Sequence, residues 1–229
     1  MNKDKRQNPN LVTLQDVRCN SAVVTYIRKA NENLAAIGFT EHGRRHADLV
    51  ATTARRILLD LGYSVREAEL AAIAGYLHDI GNVVGRTHHY TTGALIAMDI
   101  LREMSMDDEE ISDVISAIGN HDEEFGQVVS NISAAVILAD KADVHRSRVR
   151  NRDFTRFDIH DRVNYAVQDA NLDIDSQQKI ITLQLTIDTY ISRVMEYFEI
   201  FLSRMILCRR AADYLSACFA LVINEIQLL

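Results

Sequence analysis

The stretch Gly75-Tyr-Leu-His-Asp-Ile-Gly-Asn82 closes an apolar run with two polar side chains, His78 and Asp79, and places Gly81 directly after them. Upstream, Ala68, Ala71, Ala72, Ile73, Tyr76 and Leu77 recur at helical spacing, so the run predicts a buried helix ending in a metal-competent pair. An imidazole offers one neutral nitrogen to a metal, and a carboxylate offers two oxygens, enough to bridge two metals. Neighbours on a helix diverge by about 100°, so one centre can use both only where the helix stops. Gly81 is read as that stop, a glycine taking the left-handed conformation. The dipeptide alone is a weak signal, and its partners decide what it means.

A helix-rich fold agrees with the composition: nine glycines, no tryptophan, and a single proline at position 9. With 48% apolar residues in 229, the chain can bury one sizeable core. A formal charge of −7 argues against non-specific nucleic-acid binding, which needs a basic face. Cys19, Cys208 and Cys218 are too scattered for a disulfide framework or zinc ribbon and read as reduced thiols. The N-terminal segment is polar and charged, and no apolar run approaches membrane-spanning length. The expectation is a soluble cytoplasmic protein without a membrane partner.

In order along the chain, residues 1–10 read as a disordered tail. Helical stripes follow over Leu11–Ile37, broken near Asn20, and over Arg44–Leu61, stopped by Gly62. Ser64 and Glu67 form a capping-box pattern for the helix that leads to His78. A loop over Gly81–His88 precedes a helix around Thr91–Glu103. Asp107, with Glu110, caps the next helix, which ends at Gly119, and Ser130 caps another that runs to Asp140. Beyond Phe157 the pattern changes. Val163–Asp173 and Lys179–Asp188 alternate like strands around the polar Ser176-Gln177-Gln178, which predicts a hairpin. One or two aromatic-rich helices are expected from Ser192 to Leu229. The fold class is therefore mainly α: a helical bundle over residues 11–156, with a small hairpin-and-helix extension over 157–229. Two strands alone make no stable sheet, so the extension packs on the helical body or on a second subunit.

The candidate ligands are His46, His78, Asp79, His89, His121 and Asp140, each near a helix end, beside a turn, or on an apolar helix. Asp140 ends the run Ala134-Ala-Val-Ile-Leu-Ala139, where a carboxylate is costly without a compensating positive charge such as a divalent metal. His88 competes with His89. His42, His145 and His160 read as surface or supporting residues.

This ordered set resembles the HD superfamily of metal-dependent phosphohydrolases. The resemblance rests on His78-Asp-Ile-Gly81, His89-Tyr-Thr-Thr-Gly-Ala94 and Ala139-Asp-Lys-Ala-Asp143, and covers roughly 41–156. It implies an all-helical HD-type bundle with a dinuclear centre: His46, His78 and Asp140 on one metal, His89 and His121 on the other, and Asp79 bridging. It implies two divalent transition metals (Mn, Fe, Co, Ni or Zn, with Mg possible), an acidified bridging water acting as hydroxide, and attack on a phosphate ester or anhydride. His89 is preferred over His88 because it stands four residues before Gly93, as in the family. Asp122 occupies the place of a second histidine common in the cyclic-dinucleotide branch, the Gly-Tyr-Pro motif is missing, and Asn82 replaces a common lysine. That specialised activity is disfavoured.

Asp79, Asp122, Lys141 and Arg146 are the candidate catalytic residues, with Glu123 as an alternative to Asp122 for orienting the water or a ligand histidine. Arg86, Lys141, Arg146 and Arg150 are candidates for substrate phosphate, within a basic run that also includes Arg148 and Arg152. The expected partners are a small phosphorylated, nucleotide-like substrate and a second copy of the chain, paired through the C-terminal region. Two rival readings remain: a mixed-valent di-iron oxygenase on the same ligands, and a non-catalytic ligand-sensing module.

Overall fold

The computed structural model describes residues 11–151 and 153–228. The tail expected over 1–10 lies outside the described residues, as does Arg152 of the basic run. The chain is mainly α with a small C-terminal sheet. The first helices are α1 (Leu14–Cys19) and α2 (Ser21–Ala36), separated at Asn20, whose side chain caps α2 through Ala22 and Val23 N–H. Next come α3 (Arg44–Asp60) and α4 (Val65–Leu77). The Ser64–Glu67 capping box forms at the start of α4, a cap worth about 1 kcal/mol.

Every residue of α4 from Leu70 to Leu77 is buried, as expected of a helix apolar on all sides. Its alanines let α3 approach closely: a Cβ at Gly75 would stand 3.2 Å from main-chain atoms of Ala51 and Val50. Past α4 the chain tightens into a 3₁₀ turn, Ile80–Val83, and then forms α5 (His89–Glu103), α6 (Asp108–Gly119) and α7 (Asn131–Ala142). Asp107 and Ser130 cap α6 and α7, although Asp107 bonds Glu109 N–H while Glu110 pairs with Arg66.

Gly81 does not end α4 by left-handed geometry; among described glycines only Gly38 and Gly62 have positive φ. Its role is steric. A Cβ there would lie 2.0 Å from the His89 carbonyl oxygen and 2.5 Å from Gly93 N. The absent side chain lets α5 pack its first turn directly against the turn after Asp79.

The extension departs from expectation at both ends. Residues predicted to open the hairpin form α8 (Ile159–Ala166), so the hairpin is β1 (Val167–Asp175) with β2 (Ile180–Ile187). After α9 (Val194–Tyr214), the last segment is not helix but β3 (Cys218–Ile223) and β4 (Ile226–Gln227). β3 pairs parallel to β2, with α9 as the crossover, and the order is β1-β2-β3-β4. Asn224 and Glu225 both have positive φ, the geometry of a two-residue turn matched to strand twist. The apolar run Phe219–Ile223 fits a buried strand or a buried helix equally by periodicity. The open edge of β2 decides between them. α9 lies on α7 and β1 reaches α3 and α7, so the extension packs on the helical body and shares its core.

Candidate metal centre

Three of the candidate histidines are positioned by the same local device. His78 follows α4, and its Nδ1–H donates to the Gly75 carbonyl at 2.7 Å. His121 follows α6 and donates from Nδ1 to Ile118 O at 2.7 Å, and His89 donates to Arg86 O at 3.0 Å. In each case the acceptor stands three residues back: in the last turn of α4 for His78 and of α6 for His121, and in the loop before α5 for His89. A carbonyl only accepts, so each ring is protonated on Nδ1 and turns Nε2 inward. His46, in the first turn of α3, is held differently: its Nδ1–H donates to Asp143 Oδ2 at 2.6 Å.

The four Nε2 atoms converge in pairs. His46 and His78 Nε2 are 3.2 Å apart, and His89 and His121 Nε2 are 3.1 Å apart. The pairs are adjacent, with the His78 and His121 rings 4.9 Å apart. All four histidines are buried. Asp79 faces both pairs: Oδ2 is 3.4 Å from His78 Nε2 and 3.7 Å from His46 Nε2, while Oδ1 is 3.3 Å from His89 Nε2. Asn82 holds this carboxylate, donating to Asp79 Oδ1 at 2.8 Å. Asp140 Oδ1 faces only the first pair, 3.3 Å from His46 Nε2 and 3.6 Å from His78 Nε2.

Lone pairs facing at such distances repel unless a proton or a cation lies between them. The donor set, imidazole nitrogen with carboxylate oxygen, suits a divalent transition metal, and the Nδ1 partners are the outer hydrogen bonds typical of metal-ligating histidines. Two groupings have donor atoms close enough to share an ion: His46, His78 and Asp140, and His78, Asp79 and His121. The residues therefore fit divalent metal.

The charges adjust accordingly. Burial alone would depress His78, but Asp79 and Asp140 outweigh it and raise the imidazole to about 10. A proton thus fills the gap where a metal would lie. Burial pushes His121 and His89 below the ordinary imidazole value, and His78 adds to the effect at both. Asp79 and Asp140 are drawn well below the carboxylate range despite burial, Asp79 chiefly by His78 and Asp140 chiefly by Lys141.

The remaining predicted residues divide. His88 is exposed and its ring nitrogen meets the Tyr90 hydroxyl at 3.0 Å, so it stands outside the cluster. Lys141 is buried, with Nζ 2.6 Å from both Asp140 Oδ2 and Glu123 Oε2. Asp122, Glu123 and Arg86 line the cleft over the histidines, and Arg86 Nη1 is 3.7 Å from Asp79 Oδ1. Two predicted cations do not line it. Arg146 lies over the Tyr165 ring at 5.3 Å, and Arg150 donates to Phe39 O and to Asn31. Both are drawn away because the chain leaves α7 and turns back along the body.

Sequence reasoning gave Asp143 no role of its own and missed Arg204. Asp143 orients His46 and binds Arg45 and Arg148; its place three after Asp140 was the available signal. Arg148, one member of the basic run, His42, read as surface or supporting, and Arg204 all line the cleft, and Arg204, on α9, gave no sequence signal.

Among the described residues, no helix is long and apolar enough to cross a membrane. The uncharacterized protein MJ1020 of Methanocaldococcus jannaschii is 30% identical to this chain over 57% of it. The chain spans 59% of that relative's length. A solved structure described as a predicted HD superfamily hydrolase from an uncultured Thermotogales bacterium is similar at 23% identity and a TM-score of 0.43. It covers 54% of this chain and 67% of its own. Residues 44–146, from the first turn of α3 to just past α7, match the family model of the HD domain.

Proposed function

We propose that the chain is a metal-dependent phosphohydrolase with a dinuclear centre, acting on a phosphate ester or anhydride of a nucleotide-like substrate. The observation that carries this reading is the pairing of four inward-facing imidazole nitrogens, with the two oxygens of Asp79 divided between the pairs. His46, His78 and Asp140 would hold one metal, His89 and His121 the other, and Asp79 both. When bound, such metals supply Lewis acidity toward a phosphoryl oxygen and a nucleophile at neutral pH.

The chain's own groups do the rest. Arg86, Lys141, Arg148 and Arg204 line the same cleft, so an anionic group there meets cations held in place before it arrives. Lys141 stays protonated: burial alone would lower it, but Asp140 and Glu123 raise it. It offsets the charge of Asp140 and keeps that carboxylate turned to the histidines. Asp122, at the mouth of the cleft, is the acceptor available for a proton from attacking water.

Metal analysis of freshly purified protein, with hydrolysis assays over mono-, di- and cyclic nucleotides, tests the proposal. Near two metals per chain and metal-stimulated phosphate release are expected. No retained metal and no hydrolysis would overturn it, and iron with oxygen uptake would move the reading to an oxygenase.

For assembly, we propose that two copies pair through the extension, where Met195, Leu202, Ile206, Ile226 and Leu228 leave apolar side chains exposed. A concentration-independent monomer in light scattering would refute this.

A further inference from the structure

The cleft over the histidines is small, about 20 Å³, space for little more than a water-sized group. It adjoins a larger cavity of about 340 Å³, and Arg86, Arg148, Arg204 and Glu123 line both. One side of that cavity comes from Ile37–Thr40, between α2 and α3. The other comes from Asp158, His160 and Asn164 around α8 and from Phe201 and Arg204 on α9. The family match ends at residue 146. A wall of the space beside the metal centre is therefore built by the extension.

The three arginines are held in different ways. Arg148 is buried and donates Nε and Nη1 to the main-chain oxygens of Glu41 and Asp143, at 3.1 and 2.5 Å, which ties loops together. Arg86 belongs to the metal side, 3.4 Å from His89 Nε2. Arg204 sends its directed bond from Nε to Glu123 Oε1 at 3.0 Å and lies with its guanidinium carbon 4.4 Å from the Phe201 ring centroid. Stacking on a ring fixes the guanidinium plane without consuming its N–H donors. Glu123 has a second cation, Lys141, so it stays neutralised if Arg204 turns part of its charge to a ligand.

We infer that Arg204 is a substrate-binding residue, through which the C-terminal extension grips the phosphate of a substrate of about mononucleotide size. This rests on the phosphohydrolase reading for what happens to that phosphate, but not for its binding. A fixed guanidinium edge matches the spacing of phosphate oxygens. The size follows from the volume, which stands at the lower end of small-molecule sites, roughly 300 Å³. A mononucleotide or sugar phosphate fits it.

The test uses the full chain and inorganic phosphate, titrated calorimetrically into wild type, Arg204→Ala and Arg204→Gln, with metal content measured on each. Phosphate affinity is expected to fall about tenfold or more in both variants, with metal per chain unchanged. Arg204→Gln keeps the length of the stem and a donor toward Glu123, so it carries the same criterion if the alanine variant does not fold. Equal affinity in a folded variant and wild type overturns the inference, as does a wild type that binds no phosphate. Mononucleotides should compete with phosphate; a mononucleotide that does not compete overturns the size. Phosphate binding through Arg204 without any hydrolysis would refute the enzymatic reading alone, whereas metal-dependent hydrolysis with unchanged phosphate affinity would refute only the role of Arg204.

Discussion

The Nε2 atoms of His46 and His78 face each other at 3.2 Å, although Asp143 and the Gly75 carbonyl hold their Nδ1 protons on opposite sides. Two imidazoles locked in this way cannot hydrogen-bond to each other as neutral rings. One must take a further proton, or both must share a cation.

Asp143 should therefore matter to the metal without touching it. Asp143→Ala removes the acceptor that aims His46 and leaves the buried Arg148 without its carboxylate. Metal affinity should fall by about 10- to 100-fold, and stability by about 3 kcal/mol. A chelator-competition titration and a denaturant melt read the two effects separately.

Asp79 and Asp140 should differ in what they cost. Asp79 faces both histidine pairs and Asp140 only one. Asp79→Ala should abolish binding of both metals and loosen the fold, while Asp140→Ala should spare the site at His89 and His121. Metal content per chain decides; two metals and full activity in Asp79→Ala would refute the assignment.

Gly81→Ala should be among the most damaging single-methyl changes in the chain. The added carbon meets the main chain of His89 and Gly93, at 2.0 and 2.5 Å, and neither can rotate away. A loss of at least about 3 kcal/mol is expected. Gly85→Ala is the control: a Cβ there meets nothing within 4 Å and should change stability little. Thermal melts of the pair check the contrast.

The metal-free protein should be most stable near pH 6.5, the value its imidazoles regain on unfolding. Burial depresses His42, His89 and His121. The stability they contribute is present above pH 6.5 and is lost as pH falls below it. His78 is raised, so its contribution is full below pH 6.5 and is lost as pH climbs toward 10. Melting temperature should decline on both sides, more steeply on the acid side, where three rings act against one. Bound metal displaces the His78 proton, and the alkaline decline should then vanish. A metal-free protein that gains stability steadily to pH 9 would contradict the proton assignment.

Much of the helical body was legible because its signals are local. Asn20 caps, the Ser64–Glu67 box, the Asp107 and Ser130 caps and the β1–β2 alternation act within a few residues. Side-chain facing was harder. Leu49 and Val24 fit the apolar stripes yet are exposed, because a stripe's edge depends on how wide its neighbour is. The strand at Cys218–Ile223 escaped for a related reason: its pairing partner, β2, lies over thirty residues away, and only α9 brings them together.

The sequence by itself determined which side chains are candidates for metal, and three of them are turned by short-range contacts. His78, His89 and His121 each bond a carbonyl three residues back, a contact made within one turn of chain. Tertiary structure decided what lies 80 residues or more away in the chain: Asp143 against His46, and Arg204 against Glu123. Those contacts depend on helix packing and on the sheet-bearing extension, and no local spacing encodes them. It also decided that Arg146 and Arg150, within ten residues of Asp140 in sequence, turn elsewhere, since charge near a site in the chain is not charge near it in space.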